Sequence, residues 1–290
     1  CVSAKRWSRS FRYRSVVLAV LILGIGVLPA FAHDFWLVPI GFRLAPGDEL
    51  VVLGQTSSAF PASESALSRE RVADARVLDA AGETRIVDFE ASGNSLRLRH
   101  RPTGTGQRMV VVSTVPRSVR ESAAGFRRYL ELEGAGAVLA RLEREGRVPR
   151  DSVTRRYAKY AKTFVEVGEG GPRAWSRIVG QPLELLPLTD PSVLHPGDTL
   201  RVRVLFGGQP LSGVRLEAGV VSRPADANLN ALAGQERHGT FITDGQGVLH
   251  IPIDRGGLWN LRGLHVADAP AGSGADWDTH WVTLVFLVMH

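Results

Sequence analysis

Apolar and polar residues alternate with a period of two in short segments of both halves of the chain. Residues 96–99 follow this pattern as Leu-Arg-Leu-Arg, and residues 200–206 alternate apolar side chains with two arginines. Such alternation is typical of a strand with one exposed face, whereas the apolar runs at 50–53 and 109–112 favour buried strands. Gly and Pro are spread between these segments as turn residues, so the pattern predicts a mainly β fold.

The pattern changes in the middle of the chain, where apolar residues follow a helical spacing. Phe126, Tyr129 and Leu130 fit one helix, and residues 138–142 fit a second that ends before Gly146. A third helix is predicted after Asp151, which would cap it. Its apolar stripe is Val153, Tyr157, Tyr160, Ala161 and Phe164, and its basic face is Arg155, Arg156, Lys159 and Lys162.

These patterns predict two β-sandwich domains, Ig-like or prealbumin-like, with a small helical insert. The segments are a signal peptide at 1–32, an N-terminal β domain at 33–116, a helical insert at 117–165 and a C-terminal β-sandwich domain at 180–290.

The first 32 residues have the order of a secretory signal. Basic residues precede the apolar run Val16–Leu28, and the small residues Ala30 and Ala32 fit a cleavage site. The run has 13 residues, fewer than the roughly 20 that a membrane-spanning helix needs. We therefore expect a periplasmic protein that starts at His33 and has no transmembrane span after signal removal.

Charge and cysteine content exclude several classes of protein. The formal net charge of +6 falls to +1 without residues 1–32, which hold five basic residues and no acidic one. The basic composition thus belongs mostly to the signal, and a nucleic-acid partner is not expected. Cys1 is the only cysteine, so the protein after cleavage has no disulfide and no thiolate ligand.

A set of motifs spread over nearly the whole chain resembles one family of exported bacterial proteins, the domain-of-unknown-function 4198 family. The resemblance implies export, and some relatives are described as periplasmic components linked to nickel or cobalt uptake, with a membrane transporter component as the implied partner. The motifs are His-Asp-Phe-Trp at 33–36, Tyr-Ala-Lys-Tyr-Ala-Lys at 157–162, Val-Gly-Gln-Pro-Leu-Glu-Leu at 179–185, Pro-Leu-Thr-Asp-Pro at 187–191, Gly-Leu-Trp at 257–259, His265 and Trp277.

An N-terminal histidine predicts a metal site, because His33 would offer its amine and its imidazole to one ion. A histidine from a distant strand, His265 or His280, would complete a three-nitrogen set, and Asp34 could bind the ion or orient the ring. Relatives usually carry a small hydroxyl residue near His280, which favours His265. Imidazole suits nickel, cobalt and copper alike, so the ligands do not select the metal.

The same residues also have structural interpretations. Residues 33–37 could simply form a first strand, and His265 and His280 could pack in the fold. The tryptophans could stack on glycans, although core burial is their usual fate, and the basic face could be a solvated helix surface. The competing function is therefore a cell-envelope structural or glycan- or protein-interaction module without metal.

Enzymatic chemistry finds little support in the sequence. Ser57 and Ser58 lack the glycine-flanked elbow of a hydrolase nucleophile, and no glycine-rich phosphate loop precedes a helix. Copper-dependent oxidation at His33 would need a second histidine and an open coordination position. The sequence thus predicts a non-enzymatic protein that binds or delivers nickel, cobalt or copper beside an uptake system.

Overall fold

The alternating and apolar segments of the sequence form strands that assemble into three sheets. The computed structural model describes residues 33–148, 150–222 and 236–289, and the structural statements below refer to these residues. All of them lie in one compact unit. The mainly β fold with stacked sheets that the sequence predicts is confirmed. The predicted signal peptide lies outside the described residues.

Eighteen strands and two α-helices occur in the described ranges. The strands are β1 (Asp34–Pro39), β2 (Arg43–Leu44), β3 (Leu50–Ser57), β4 (Val72–Leu78), β5 (Glu83–Arg85), β6 (Asp88–Ser92), β7 (Ser95–His100), β8 (Gly106–Thr114), β9 (Arg117–Ser122), β10 (Ser152–Val167), β11 (Leu183–Pro187), β12 (Thr199–Phe206), β13 (Gln209–Pro210), β14 (Arg215–Val221), β15 (Glu236–Ile242), β16 (Val248–Pro252), β17 (Gly257–Asp268) and β18 (Trp277–Val288). The helices are α1 (Ala123–Leu132) and α2 (Gly136–Arg144), and single 3-10 turns occur at Arg69–Arg71 and Pro191–Val193.

The strands divide into sheets A, B and C. Sheet A has the order β1-β3-β7-β6. Sheet B has ten strands in the order β15-β14-β17-β18-β10-β8-β4-β5, with β2 and β9 also paired to β10. Sheet C contains β11, β12, β13 and β16, of which β12 pairs with the other three. Sheet B therefore draws its strands from both predicted β regions, and the predicted division at residues 116 and 180 stays a prediction.

Sheet B is the middle layer, with a hydrophobic core on each face. On β10, Ala161 and Val165 pack with the core residues of sheet A, whereas Tyr160 and Phe164 pack with those of sheet C. Successive residues of a strand point to opposite faces, so odd and even positions of β10 enter different cores. These two faces are called the A face and the C face below.

The two helices cover part of the A face. Phe126 of α1 and Leu142 of α2 are fully buried against Trp277 and Trp281 of β18. The chain enters α1 through Ser122, whose hydroxyl accepts a hydrogen bond from the backbone N of Gly125 at 3.0 Å, as an N-cap does. Both of the first two predicted helices are confirmed.

The third predicted helix is wrong, because residues 152–167 form the central strand β10. Its predicted basic face is wrong too: Arg155, Lys159 and Lys162 are buried at 4%, 8% and 1% exposure. They are accommodated by acceptors such as Glu121 for Arg155 and Glu184 for Lys162. A strand buried on both faces shows no period-two alternation, which explains why its apolar residues matched a helical stripe.

Candidate functional site

His33 lies directly before β1 and is held by a carboxylate from a distant loop. Its Nε2 is 2.7 Å from Oε2 of Glu64. Glu64 is fixed in turn through its other oxygen, which accepts hydrogen bonds from the Ser57 hydroxyl at 2.9 Å and from the Ser58 backbone N at 3.1 Å. These hydrogen bonds, first that from the Ser58 backbone, lower the pKa of Glu64 to about 2. Glu64 is therefore an anion at any neutral pH.

The His33–Glu64 pair is open to solvent, since the two side chains are 34% and 48% exposed. A carboxylate on one ring nitrogen fixes the orientation of an imidazole and makes the other nitrogen more basic, as it does for histidine ligands in metalloproteins. Here Glu64 engages Nε2, so a chelate would use Nδ1 together with the backbone nitrogen of the same residue. The backbone carbonyl of His33 accepts a hydrogen bond from Nζ of Lys159, which ties the residue to sheet B.

Asp34 takes part in a buried ion cluster. It is 2% exposed, and its Oδ2 accepts a hydrogen bond from Nη1 of Arg262 at 2.8 Å. Arg262 also donates to Glu217 and lies 3.7 Å from Glu133. Burial raises the pKa of Asp34 despite Arg262, and it raises the pKa of Glu133 to about 7. The described contacts of Asp34 join β1 to β17, and none of them is to the imidazole of His33.

His265 and His280 lie opposite each other on β17 and β18. The ring of Phe206 from sheet C packs against both, with centroid distances of 4.5 and 5.1 Å. The hydroxyl of Tyr160 lies 3.1 Å from Nδ1 of His280. Burial lowers the pKa of both histidines, that of His265 to about 4. Both rings are therefore neutral at pH 7, and they pack among aromatic side chains as the structural interpretation expected.

The structure does not bring the four predicted ligands together. Lys159 and Arg262, which contact residues 33 and 34, lie on the A face of sheet B. His265 follows Arg262 by three positions and so points to the C face, with His280 beside it. Sheet B thus separates the histidine pair from His33. Within the described ranges, no three His, Cys, Asp or Glu residues are grouped as a metal site.

The sequence reasoning did not identify Glu64, the residue that orients His33. Glu64 lies in the loop after β3, 31 residues beyond His33, where no spacing or periodicity connects the two positions. The pairing of β1 with β3 places Asp34 opposite Ser57 and so brings this loop to the start of β1. Only the register of sheet A reveals the contact.

The five tryptophans in the described ranges give no support to a glycan-stacking surface. Trp36, Trp259, Trp277 and Trp281 are each at most 3% exposed, and Trp175 packs partly buried against the core between sheets B and C. An exposed aromatic row would be needed to stack on sugar rings. Among the described residues, no helix has the length and apolarity to cross a membrane.

Fold and site together define a mainly β protein with an oriented histidine at the start of its first strand. A family model described as "Domain of unknown function (DUF4198)" matches residues 30–267. The chain belongs to this DUF4198 family. A comparison with curated proteins finds no match.

Solved structures show only a low similarity to the chain. A mutant alpha-2-macroglobulin from Salmonella shares 12% identity over 89% of this chain and 15% of that chain, with a TM-score of 0.22. Trypsin-activated alpha-2-macroglobulin from Escherichia coli shares 12% identity over 89% of this chain and 16% of that chain, with a TM-score of 0.26. The Escherichia coli adhesin FdeC shares 11% identity over 90% of this chain and 65% of that chain, with a TM-score of 0.23. At these TM-scores the similarity carries no information on function.

Proposed function

We propose that this protein is an exported, non-enzymatic binding protein that takes up one divalent transition metal ion at His33. Export to the periplasm and cleavage after Ala32 would turn the backbone nitrogen of His33 into a free amine. That amine and Nδ1 of the imidazole would form the chelate. The ion is the cargo, and nickel, cobalt and copper are the candidates, because all three bind imidazole and amine nitrogen.

The observation that carries the proposal is the hydrogen bond that the Glu64 carboxylate accepts from Nε2 of His33. An imidazole at the end of a chain is normally mobile, and ordering it on metal binding costs side-chain entropy. The hydrogen bonds from Ser57 and Ser58 hold Glu64, and Glu64 holds the ring in one orientation. Metal binding therefore loses less side-chain entropy at this imidazole than at a mobile one. A carboxylate behind a histidine is also the common outer contact of metal-binding histidines.

The solvent exposure of the pair fits binding and delivery better than permanent retention. A chelate from one residue leaves coordination positions for water or for a group of a receiving protein. The resemblance to relatives linked to nickel or cobalt uptake suggests a membrane transporter component as that receiver. His265 and His280 are not part of this proposal, because sheet B separates them from His33.

Replacing Glu64 by alanine is expected to weaken metal binding about 10- to 100-fold, the usual effect of removing the group that orients a histidine ligand. The measurement is calorimetric titration of the protein that begins at His33 with nickel(II) and copper(II). Glu64 is exposed, so the fold should tolerate the change, and thermal unfolding checks this.

Glu131→Ala is the matched control, because Glu131 is an exposed glutamate of α1. It should bind metal as the unchanged protein does. If Glu64→Ala binds metal with unchanged affinity, the orienting role of Glu64 is wrong.

A further inference from the structure

A cavity of about 310 Å³ opens between the α1–α2 connection and the edge of sheet B. One wall is formed by residues 133–135, Ala137, Val138 and Arg141, and the other by the loop 211–215 that leads into β14. Leu264 and His265 of β17 complete the lining. The volume is within the range of small-molecule sites in proteins.

The cavity exists because β14 is shorter than its neighbour. Pairing between β14 and β17 ends at Leu216 and Gly263, while β17 continues to Asp268 beside β18. β14 therefore does not cover the edge of β17 beyond Gly263. The α1–α2 connection lies on the other side of the cavity from the loop that leads into β14. The cavity therefore lies at the edge of β17 that β14 leaves unpaired.

Two arginines line the cavity, and they differ in whether a carboxylate neutralises them. The side chain of Arg141 is exposed and makes no hydrogen bond or ion pair with any residue that the structure describes. Arg215 lies across the backbone of Gly134 and is paired with Glu217, to which its Nη2 donates at 2.9 Å. Glu133 is turned towards Arg262, 3.7 Å away.

The helix start in the wall adds to this charge. α2 begins at Gly136, and Ala135 at its N-cap position provides no side-chain hydrogen bond to the first turn. Exposed N–H groups at a helix start favour an anion. The lining also includes the apolar residues Ala137, Val138 and Leu211.

We propose that this cavity binds a small organic carboxylate with an apolar body. The carboxylate would pair with Arg141 at the mouth, and the apolar body would lie on Val138, Leu211 and Leu264. His265 also lines the cavity, and its imidazole offers a donor or an acceptor to a second polar group of the ligand. This site lies apart from His33, so it does not depend on the proposed metal chelate.

The test uses benzoate as the probe and benzyl alcohol as its uncharged analogue, titrated into the purified protein and followed by NMR chemical-shift changes. Benzoate is expected to bind about tenfold more tightly than benzyl alcohol, because only the carboxylate can form a charge-assisted hydrogen bond with Arg141. Arg141→Gln should remove that preference. Ala137→Phe, which fills the cavity from an exposed helix position, should remove binding of both compounds.

Arg144→Gln is the control, since Arg144 is exposed in the last turn of the same helix but does not line the cavity. It should bind benzoate as the unchanged protein does. The proposal is overturned if benzoate does not bind at millimolar concentration, if Arg141→Gln and Arg144→Gln bind it equally, or if Ala137→Phe binds it unchanged.

Discussion

Replacing Lys162 by methionine is expected to lower the free energy of unfolding by about 3–5 kcal/mol, because it leaves a buried charge without its partner. Lys162 and Glu184 are each 1% exposed, and Nζ lies 2.5 Å from Oε1. Glu184 also accepts hydrogen bonds from the backbone N of Val179 and Gly180. The pair therefore joins sheet B to sheet C and fixes the segment that precedes β11.

The measurement is urea unfolding of the single variant and of Lys162→Met/Glu184→Gln. The double variant has no buried charge left over, so it should lose less stability than the single one. Arg99→Met, which breaks an exposed pair with Glu90, should cost less than about 1 kcal/mol. A loss for Lys162→Met as small as that of Arg99→Met would contradict the buried-charge account.

Acidification is expected to destabilise the protein between pH 6.5 and 4 through the histidine pair, and His265→Gln should remove part of this effect. The pKa of His265 falls from its ordinary 6.5 to about 4 in the fold, chiefly because burial opposes the charged form. In that pH range the unfolded chain binds more protons than the native one, so the free energy of unfolding falls as the pH falls.

The contribution of His265 to this loss is about 2 kcal/mol after allowance for its partial exposure. The measurement is urea unfolding at pH 6.5 and at pH 4 for the unchanged protein and for His265→Gln. His265→Gln should lose about 2 kcal/mol less than the unchanged protein between these pH values. His250→Gln, at an exposed position of β16, is the control. Equal losses in all three proteins would show that His265 is protonated as easily in the fold as in the unfolded chain.

The sequence identifies several strands of the fold because their patterns follow local physics. The segments 50–53, 96–99, 109–112 and 200–206 all lie in strands as predicted. β10 could not be recognised in the same way, because both of its faces are buried and its polar residues have acceptors from distant parts of the chain. Lys162 meets Glu184 across the boundary between two sheets, and no local pattern records that contact.

The candidate site shows the same limit. His33 is recognisable from the signal-like segment before it, and Asp34 follows directly. Which histidine would join them depends on the face of sheet B that each one occupies. Side chains alternate between the two faces along β17, so Arg262 points to the A face and His265 to the C face. Glu64, which does contact His33, becomes visible only once β1 pairs with β3.

The metal proposal rests on a free amine at His33, and one comparison tests this directly. Nickel(II) and copper(II) are titrated calorimetrically into the protein that begins at His33 and into the same protein with its N-terminal amine acetylated. Acetylation turns the amine into an amide, adds no new amine, and leaves the imidazole and Glu64 in place. We predict binding of one ion to the first protein and loss of that binding in the second. Equal binding by both proteins, or binding by neither, would contradict the proposed function.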